Sequence, residues 1–520
     1  MSFGFSTAAT EADQTMSFNL AIMLRESARV APDRDHLRFL SGALTYSQVD
    51  DSSGRFAVGL RQRGLEVGAK VAVQLANVPE FVIAYFGILK AGMTMVPINP
   101  MLKAEETAYL LEDSEARLIV AHDTLVTETG ATVRGLPTAQ AAIVGDTTGW
   151  PDGTIAFTDL LSADDDGDIW PGSADDTAVI VYTSGTTGQP KGAELSHFQL
   201  YMNCTLAGER FGVSEGDVSL AVLPFFHVYG LSSILNSATR HTRTISVVPR
   251  FEANAVLAAI ERDRVTIIAG VPTMYYALLA ADNTGYDTSS LRIGSSGGAP
   301  IPEAVLRGFE EKYGITILEG YGLSESASAA TVNPSSDERK VLSIGKPIWG
   351  VQLRIVDEKD QPLPPGEQNI GEIVLRGHNI TKGYYKRPDA TRAAFRNGWF
   401  HTGDLGYQDD DGFVFVVDRK KDLIIRAGFN VYPREVEDVL YRHPAIAEAA
   451  VIGRPDERLG EEVMAVVSLK PGAHVEPAEI VAWAKERIAV YKYPREVRMV
   501  DELPKSATGK IVKRLLRDRA

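Results

Sequence analysis

Over most of its length the chain alternates short apolar runs with segments whose apolar residues recur every three to four positions. Residues 48–63 and 79–91 carry the helical spacing, and 70–75, 95–98, 118–121 and 142–144 read as strands. Strand and helix in turn predict a mostly parallel sheet covered by helices. A second region follows the same plan without repeating the sequence, with strands expected at 218–223, 244–248, 266–268 and 315–318. From about residue 344 the pattern changes to short strands at 352–356, 371–375 and 412–417, separated by Gly and Pro, which predicts a β-rich subdomain over 344–417. Beyond the charged run 418–422 lies a compact α+β unit. Its helices, expected at Pro433–Tyr441 and 477–488, each show one apolar face, with Val436, Val439 and Leu440 on the first and Ile480, Trp483, Ala484 and Ile488 on the second. The expected division is a loose polar leader over 1–15, a large domain over 16–420 and a small one over 421–520.

One stretch breaks the pattern. The apolar run 178–181 is followed by Tyr182-Thr183-Ser184-Gly185-Thr186-Thr187-Gly188-Gln189-Pro190-Lys191-Gly192. Glycines and small hydroxyl residues let backbone N–H groups and side-chain hydroxyls converge on one anion, and Lys191 adds a mobile positive charge. A triphosphate suits such a loop, although the spacing is not that of GxxxxGK[ST]. A merely flexible polar surface loop would not need this ordered composition directly after a core strand.

Composition narrows the rest. A net charge of −15 and a pI near 5.2 argue against general nucleic-acid binding. The single cysteine, Cys204, excludes an internal disulfide and fits a reducing cytosol. It sits in an apolar-periodic stretch and reads as a buried thiol. No signal-like N-terminus or long apolar window is present, so the expected location is the cytoplasm, with peripheral membrane contact left open and the oligomeric state, monomer or homodimer, unread. The acidic stretches 164–168 and 409–411 lack calcium-loop spacing and read as a solvated connector and a hairpin turn.

Four further groups bear on chemistry. His227, Val228, Tyr229 and Gly230 follow a strand, and His227 is consistent both with a core histidine bonded to backbone and with a residue lining a channel. Glu319-Gly320-Tyr321-Gly322-Leu323-Ser324-Glu325 offers an aromatic face for a base and a carboxylate for a hard cation, or else a strand-end turn with a solvated Glu. Gly297, Gly298 and Ala299 leave room for a flat ring. Asp404 and Arg419 can hold sugar hydroxyls or bridge each other, and Lys510 ends the chain on a Gly-bearing turn.

Taken together and in this order, over about residues 44–513, these motifs resemble the adenylate-forming superfamily of acyl-CoA synthetases, luciferases and peptide-synthetase adenylation domains, and bacterial fatty-acid–CoA ligases most nearly. The resemblance implies an N-terminal domain of two α/β layers plus a β-barrel, and a mobile C-terminal domain hinged at Lys421. It implies that Thr183 to Lys191 grip ATP phosphates, that Gly297 to Ala299 and Tyr321 flank adenine, that Glu325 with Thr186 binds Mg²⁺, and that Asp404 and Arg419 hold ribose. It makes Lys510 the catalytic lysine of the first half-reaction, with Glu325 and His227 beside it as candidates, and Gly428, Phe429 and Asn430 part of a coenzyme A tunnel. Ser324 stands for the usual Thr, and Ala427 stands where many members have Gly.

The implied reaction forms an acyl-adenylate from an acid and ATP, then a thioester with CoA. Where amino-acid-activating relatives carry Asp the chain has His227, which argues against an amino acid. The expected acyl wall, 228–234 with 271–279 and including Val271, Tyr275 and Gly298, is apolar or small. It contains no fixed cation, although Arg240 and Arg243 follow closely in sequence. Medium- or long-chain fatty acids are the first expectation and arylalkanoic or cinnamic-type acids the second. An acyl-AMP synthetase serving a carrier protein is a further alternative.

Overall fold

The protein is described here by a computed structural model covering residues 17–136, 139–183 and 189–517. The leader 1–15 and Ser184, Gly185, Thr186, Thr187 and Gly188 of the phosphate loop lie outside the described residues.

The expected alternation produces two α/β sheets. The first has seven strands in the order Ile155–Ala156, Gln140–Val144, Ala116–His122, Lys70–Gln74, Thr94–Pro97, Thr177–Thr183 and Lys191–Ser196. All its pairs are parallel except the last, in which Val181 faces Ala193. The second sheet has nine strands, with a parallel centre of Thr316–Tyr321, Ile293–Ser296, Ile267–Gly270, Val218–Ala221, Thr244–Val247 and Asp35–Phe39. Antiparallel strands close both of its edges.

The helix Pro79–Lys90 lies within the core, with Phe81, Val82, Ala84, Tyr85, Phe86, Ile88 and Leu89 all fully buried. Each such large side chain contributes about 1.5–3 kcal/mol by leaving water. One continuous apolar cluster takes in this helix and both sheets, with Phe81 packing on Phe225 at 5.6 Å between ring centres. Cys204 is fully buried, and burial pushes its thiol up to about 12. It is a structural thiol, as its position in the pattern suggests.

The β-rich subdomain is a five-stranded antiparallel sheet of Val351–Val356, Gly371–Gly377, Phe395–Arg396, Trp399–Gln408 and Val414–Arg419. The stretch 409–411 forms the expected hairpin turn, with Gly412 at φ +83° and Lys340 bridging Asp409 and Asp411. The acidic connector is the expected exposed loop, with Asp164, Asp166 and Asp168 at the surface, and arginines from elsewhere in the chain pair with it. Arg55 meets Asp164 at 3.3 Å, Arg25 meets Asp165 at 3.7 Å, and Arg61 pairs with Asp166. The acidic run is held down by arginines that its own sequence does not contain.

The C-terminal unit has its own five-stranded sheet, built on the long antiparallel pair Ile446–Asp456 and Gly460–Leu469. The helices Pro433–Tyr441 and Pro477–Lys485 cover it through Val436, Leu440, Ile480 and Ala484. The second helix stops three residues short of the expected end, but Ile488 still packs on the same core.

Candidate active site

The chemistry-bearing stretches converge because nearly all of them leave the carboxyl ends of parallel strands: Thr183, Gly270, Ser296 and Tyr321 each end one. In open α/β sheets that edge is where ligands bind.

Lys191 begins the strand that returns from the phosphate loop, and its ammonium lies 5.5 Å from the centre of the Tyr384 ring. Tyr384 is brought there by a bridge to Ala193 and by Tyr385 N donating to Gly192 O at 2.8 Å. Its hydroxyl donates to Glu325 Oε1 at 2.8 Å. Glu325 occupies a single helical turn, Ser324–Ser326, whose entry Ser326 Oγ fixes by accepting from Leu323 N at 2.9 Å. Gly322 is required there, since a Cβ would lie 1.4 Å from Ser328 O. The second oxygen of Glu325 has no hydrogen-bond partner among the described residues. Tyr384 has no local sequence signal, because only the fold carries it to Glu325.

Tyr321 donates its hydroxyl to Asp404 Oδ2 at 2.6 Å, and Asp404 Oδ1 meets Arg419 Nε at 3.1 Å. Asp404 and Arg419 face each other across adjacent strands, so the salt bridge is built into the register. Asp404 is nearly buried, while the Arg419 side chain stays partly open. Gly297 is buried against Tyr229, and Gly298 takes φ +78° beside Val271. Gly320 pairs with Val332 at the sheet edge. Glu319 is turned away from this group, with Oε2 accepting from Leu342 N at 2.9 Å. Burial pushes its carboxyl up to about 7 despite the nearby Arg434 and that backbone bond.

The C-terminal unit supplies Lys510 to the same place. Thr273 Oγ1 donates to Gly509 O at 3.0 Å, and Gly509 takes φ +79°, close enough that a Cβ would meet Val271 at 3.2 Å. Burial lowers the Lys510 ammonium to about 8, helped by Arg419 and Lys421 and opposed by Asp404 and Asp422. Burial and Arg419 also lower Lys421. His227 receives Tyr229 N at its Nδ1, 3.2 Å away, which leaves the ring proton on Nε2. Burial and the charge of Lys510 hold it neutral, at about 4. Gly428, Phe429 and Asn430, by contrast, are exposed, with Phe429 packed on Tyr491 at 4.9 Å.

A small cavity of about 40 Å³ is lined by Tyr229, Ser295, Ser233, Ile234, Ser237 and Arg243, among others. The Tyr229 hydroxyl lies 2.9 Å from Ser295 Oγ. Arg243, one of the two arginines that follow the expected acyl wall closely in sequence, lines this cavity. Tyr275 is fully buried, donates to Ser295 O at 2.7 Å and packs edge-on against Phe309. Gly230 and Val228 are buried in the strand-to-helix turn, where a Cβ on Gly230 would lie 2.1 Å from Pro224 O.

No group of three or more His, Cys, Asp or Glu among the described residues could by itself hold a metal. No helix among them is long and apolar enough to cross a membrane.

Known proteins resemble the chain in sequence and fold. The chain is 37% identical to a feruloyl-CoA synthase of an Amycolatopsis species, over 95% of this chain and 97% of that protein. It is 35% identical to a long-chain-fatty-acid–CoA ligase of Bacillus subtilis (strain 168), over 96% and 94%. Its fold matches the crystal structure of an anthranilate CoA ligase in complex with anthranoyl-AMP at a TM-score of 0.92 and 30% identity, over 98% of this chain and 99% of that one. The profile of the AMP-binding enzymes matches residues 24–385 and that of their C-terminal domain residues 435–510, so the chain belongs to the AMP-binding enzyme family.

Proposed function

We propose that the chain joins a carboxylic acid to coenzyme A in two steps, through an acyl-adenylate, with release of pyrophosphate and AMP. The observation that carries the reading is the meeting of Lys510, Arg419, Asp404 and His227 around one edge, with Lys510 delivered by a separate folding unit. Attack of a carboxylate on the α-phosphate brings two anions together. Lys510 supplies the cation between them, where negative charge builds. Asp404 and Arg419 orient the ribose and Tyr321 the base, and Lys191 with Thr183, Ser184, Gly185, Thr186, Thr187 and Gly188 holds the phosphates. Neutral His227 keeps its Nε2 proton as a donor near the acid carboxylate.

Glu325 fits a Mg²⁺ site, since one of its oxygens is fixed by Tyr384 and the other has no hydrogen-bond partner among the described residues. Together with Thr186 it would hold the ion, which would neutralise phosphate charge.

In the second step the thiol of CoA attacks the adenylate carbonyl and AMP leaves. Lys510 must then yield its place, and the exposed segment Gly428 to Asn430 takes part in the new arrangement. The domain boundary is proposed at 420–421. Asp422 belongs with the C-terminal unit, because Arg517 holds it at 2.7 Å. The cytoplasm is the proposed compartment, consistent with the buried free cysteine and with ATP and CoA as substrates.

Among acids, the two classes to compare are fatty and aryl acids, since the hydroxyls in the cavity are already paired, Tyr229 with Ser295 and Ser233 with Ser328. The test is pyrophosphate release and thioester formation over a panel of fatty and aromatic acids, with and without CoA. Thioester from one class, lowered about 10²–10³-fold in Lys510→Ala while ATP still binds, is the expected result. Pyrophosphate without thioester would point to a carrier-protein enzyme, and silence across the panel would overturn the reading.

A further inference from the structure

The cavity lining includes one cation, Arg243, without an ion-pair partner among the described residues. Arg243 is 2% exposed, and no Asp or Glu among the described residues lies within ion-pair distance of its guanidinium. Its Nη1 donates to Ser219 Oγ at 2.5 Å and its Nη2 to Ser237 Oγ at 2.8 Å. Its buried Nε has no hydrogen-bond partner among the described residues. The nearby Asp217 is already taken: Arg292 holds both its oxygens, at 2.8 and 2.6 Å, and Thr266 donates to it at 2.7 Å.

The position is fixed from behind. Arg243 N donates to Ala238 O at 2.9 Å, and Arg243 O accepts the Tyr46 hydroxyl at 2.7 Å. Tyr46 is itself fully buried and stacks on His36 at 4.3 Å. Burial lowers Arg243 only to about 10, so it remains charged at neutral pH.

A buried charge is ordinarily paired, because removing it from water costs several kcal/mol that neutral hydroxyls only partly offset. Held in place, lining the cavity and short of a counterion, Arg243 is arranged to receive an anion from the ligand.

We propose that Arg243 binds a second carboxylate at the far end of the acyl substrate, so that the enzyme activates one carboxyl group of a dicarboxylic acid with an apolar body. The proposal rests on the acid-activating reading above and names its substrate class. In the bound state the distal carboxylate accepts from the free N–H donors of Arg243, while the proximal one lies at the Lys510 end.

The test compares pairs of acids that differ only in the distal group: cinnamate with 4-carboxycinnamate, 3-phenylpropionate with 3-(4-carboxyphenyl)propionate, and octanoate with octanedioate. Pyrophosphate release gives kcat/KM for each with the unaltered enzyme, Arg243→Met and Arg243→Lys. At least one pair should favour the dicarboxylate tenfold or more. Arg243→Met should reverse that preference through the KM of the acid, leaving the KM of ATP within about twofold. Arg243→Lys, which keeps the charge but not the fork, should restore part of it. If Arg243→Met fails to fold, the unaltered enzyme's preference decides alone. Turnover of the monocarboxylates with equal or better efficiency in every pair would overturn the proposal and leave the ligase reading standing. No turnover of any acid would overturn both.

Discussion

Two turns of the C-terminal unit, both with left-handed backbone, stand in opposite situations. The turn bearing Lys510 is docked: Gly509 at φ +79° accepts from Thr273 and touches Val271, and Lys510 reaches the group around Arg419 and Asp404. The turn at Ala427 and Gly428, at φ +51° and +81°, is exposed together with Phe429 and Asn430. A Cβ on Gly428 would meet nothing within 4 Å. The first turn thus carries its glycine because of close approach, the second because of backbone shape alone. On the proposed reading, this is the arrangement for adenylate formation, with the segment assigned to the second half-reaction exposed.

The largest effect should come from breaking the docked turn. Gly509→Ala adds a Cβ 2.8 Å from Thr273 Oγ1 and forces a left-handed conformation on an L-residue, at about 1–2 kcal/mol. A displacement of about 1 Å at a reacting group costs roughly 10²-fold in rate. Pyrophosphate release should therefore fall about 10²-fold. Conversion of pre-formed acyl-AMP and CoA to thioester should stay within about twofold. An equal loss in both half-reactions would show that the turn serves both arrangements.

The pH dependence sharpens the same contrast. Lys510 loses its proton as pH rises through about 8, so below that value the cation is present and above it the neutral amine accumulates. The kcat/KM for adenylate formation should fall about tenfold per pH unit above 8. The thiol of CoA, with an ordinary thiol pKa of about 8.5, gains thiolate over the same interval. Thioester formation from supplied acyl-AMP should accordingly rise where adenylation falls. Parallel pH profiles would remove Lys510 from its separate role.

Much of this was legible in local pattern, and what was not depends on long-range contact. The helix Pro433–Tyr441 coincides with its expected range, since Pro at its first position and Val436, Val439 and Leu440 on one face announce it locally. The long strands Ile446–Asp456 and Gly460–Leu469 are absent from the expected elements although Val451, Ile452, Val463, Val466 and Val467 favour strand; their full length comes from the cross-strand pairing. In the site, Asp404 and Arg419 are fifteen positions apart with a turn between them, so their pairing follows from a hairpin register that sequence can suggest. Tyr384 meets Glu325, 59 positions away, through a bridge to a third strand, and Arg243 enters the cavity from the start of a strand read as plain sheet core. Neither placement has a local cause.

The smallest expected effect is at the exposed turn. Ala427 holds φ +51° with its N–H donating to Leu459 O at 2.7 Å, so the bond depends on the left-handed conformation. An L-residue in that region carries about 1–2 kcal/mol of strain, which glycine lacks. Glycine in turn gives the unfolded chain more freedom, worth roughly 0.5–1 kcal/mol against the fold. The difference predicts that Ala427→Gly stabilises the protein by up to about 1 kcal/mol, read from the midpoint of urea unfolding at unchanged slope. Adenylate formation should not change, because the turn does not touch Lys510 or its partners in this arrangement. Thioester formation is the step free to respond, since there the turn changes its surroundings. A loss of stability in Ala427→Gly would mean that the alanine methyl makes a contact worth more than the strain, and the turn would then be held by packing as the Lys510 turn is.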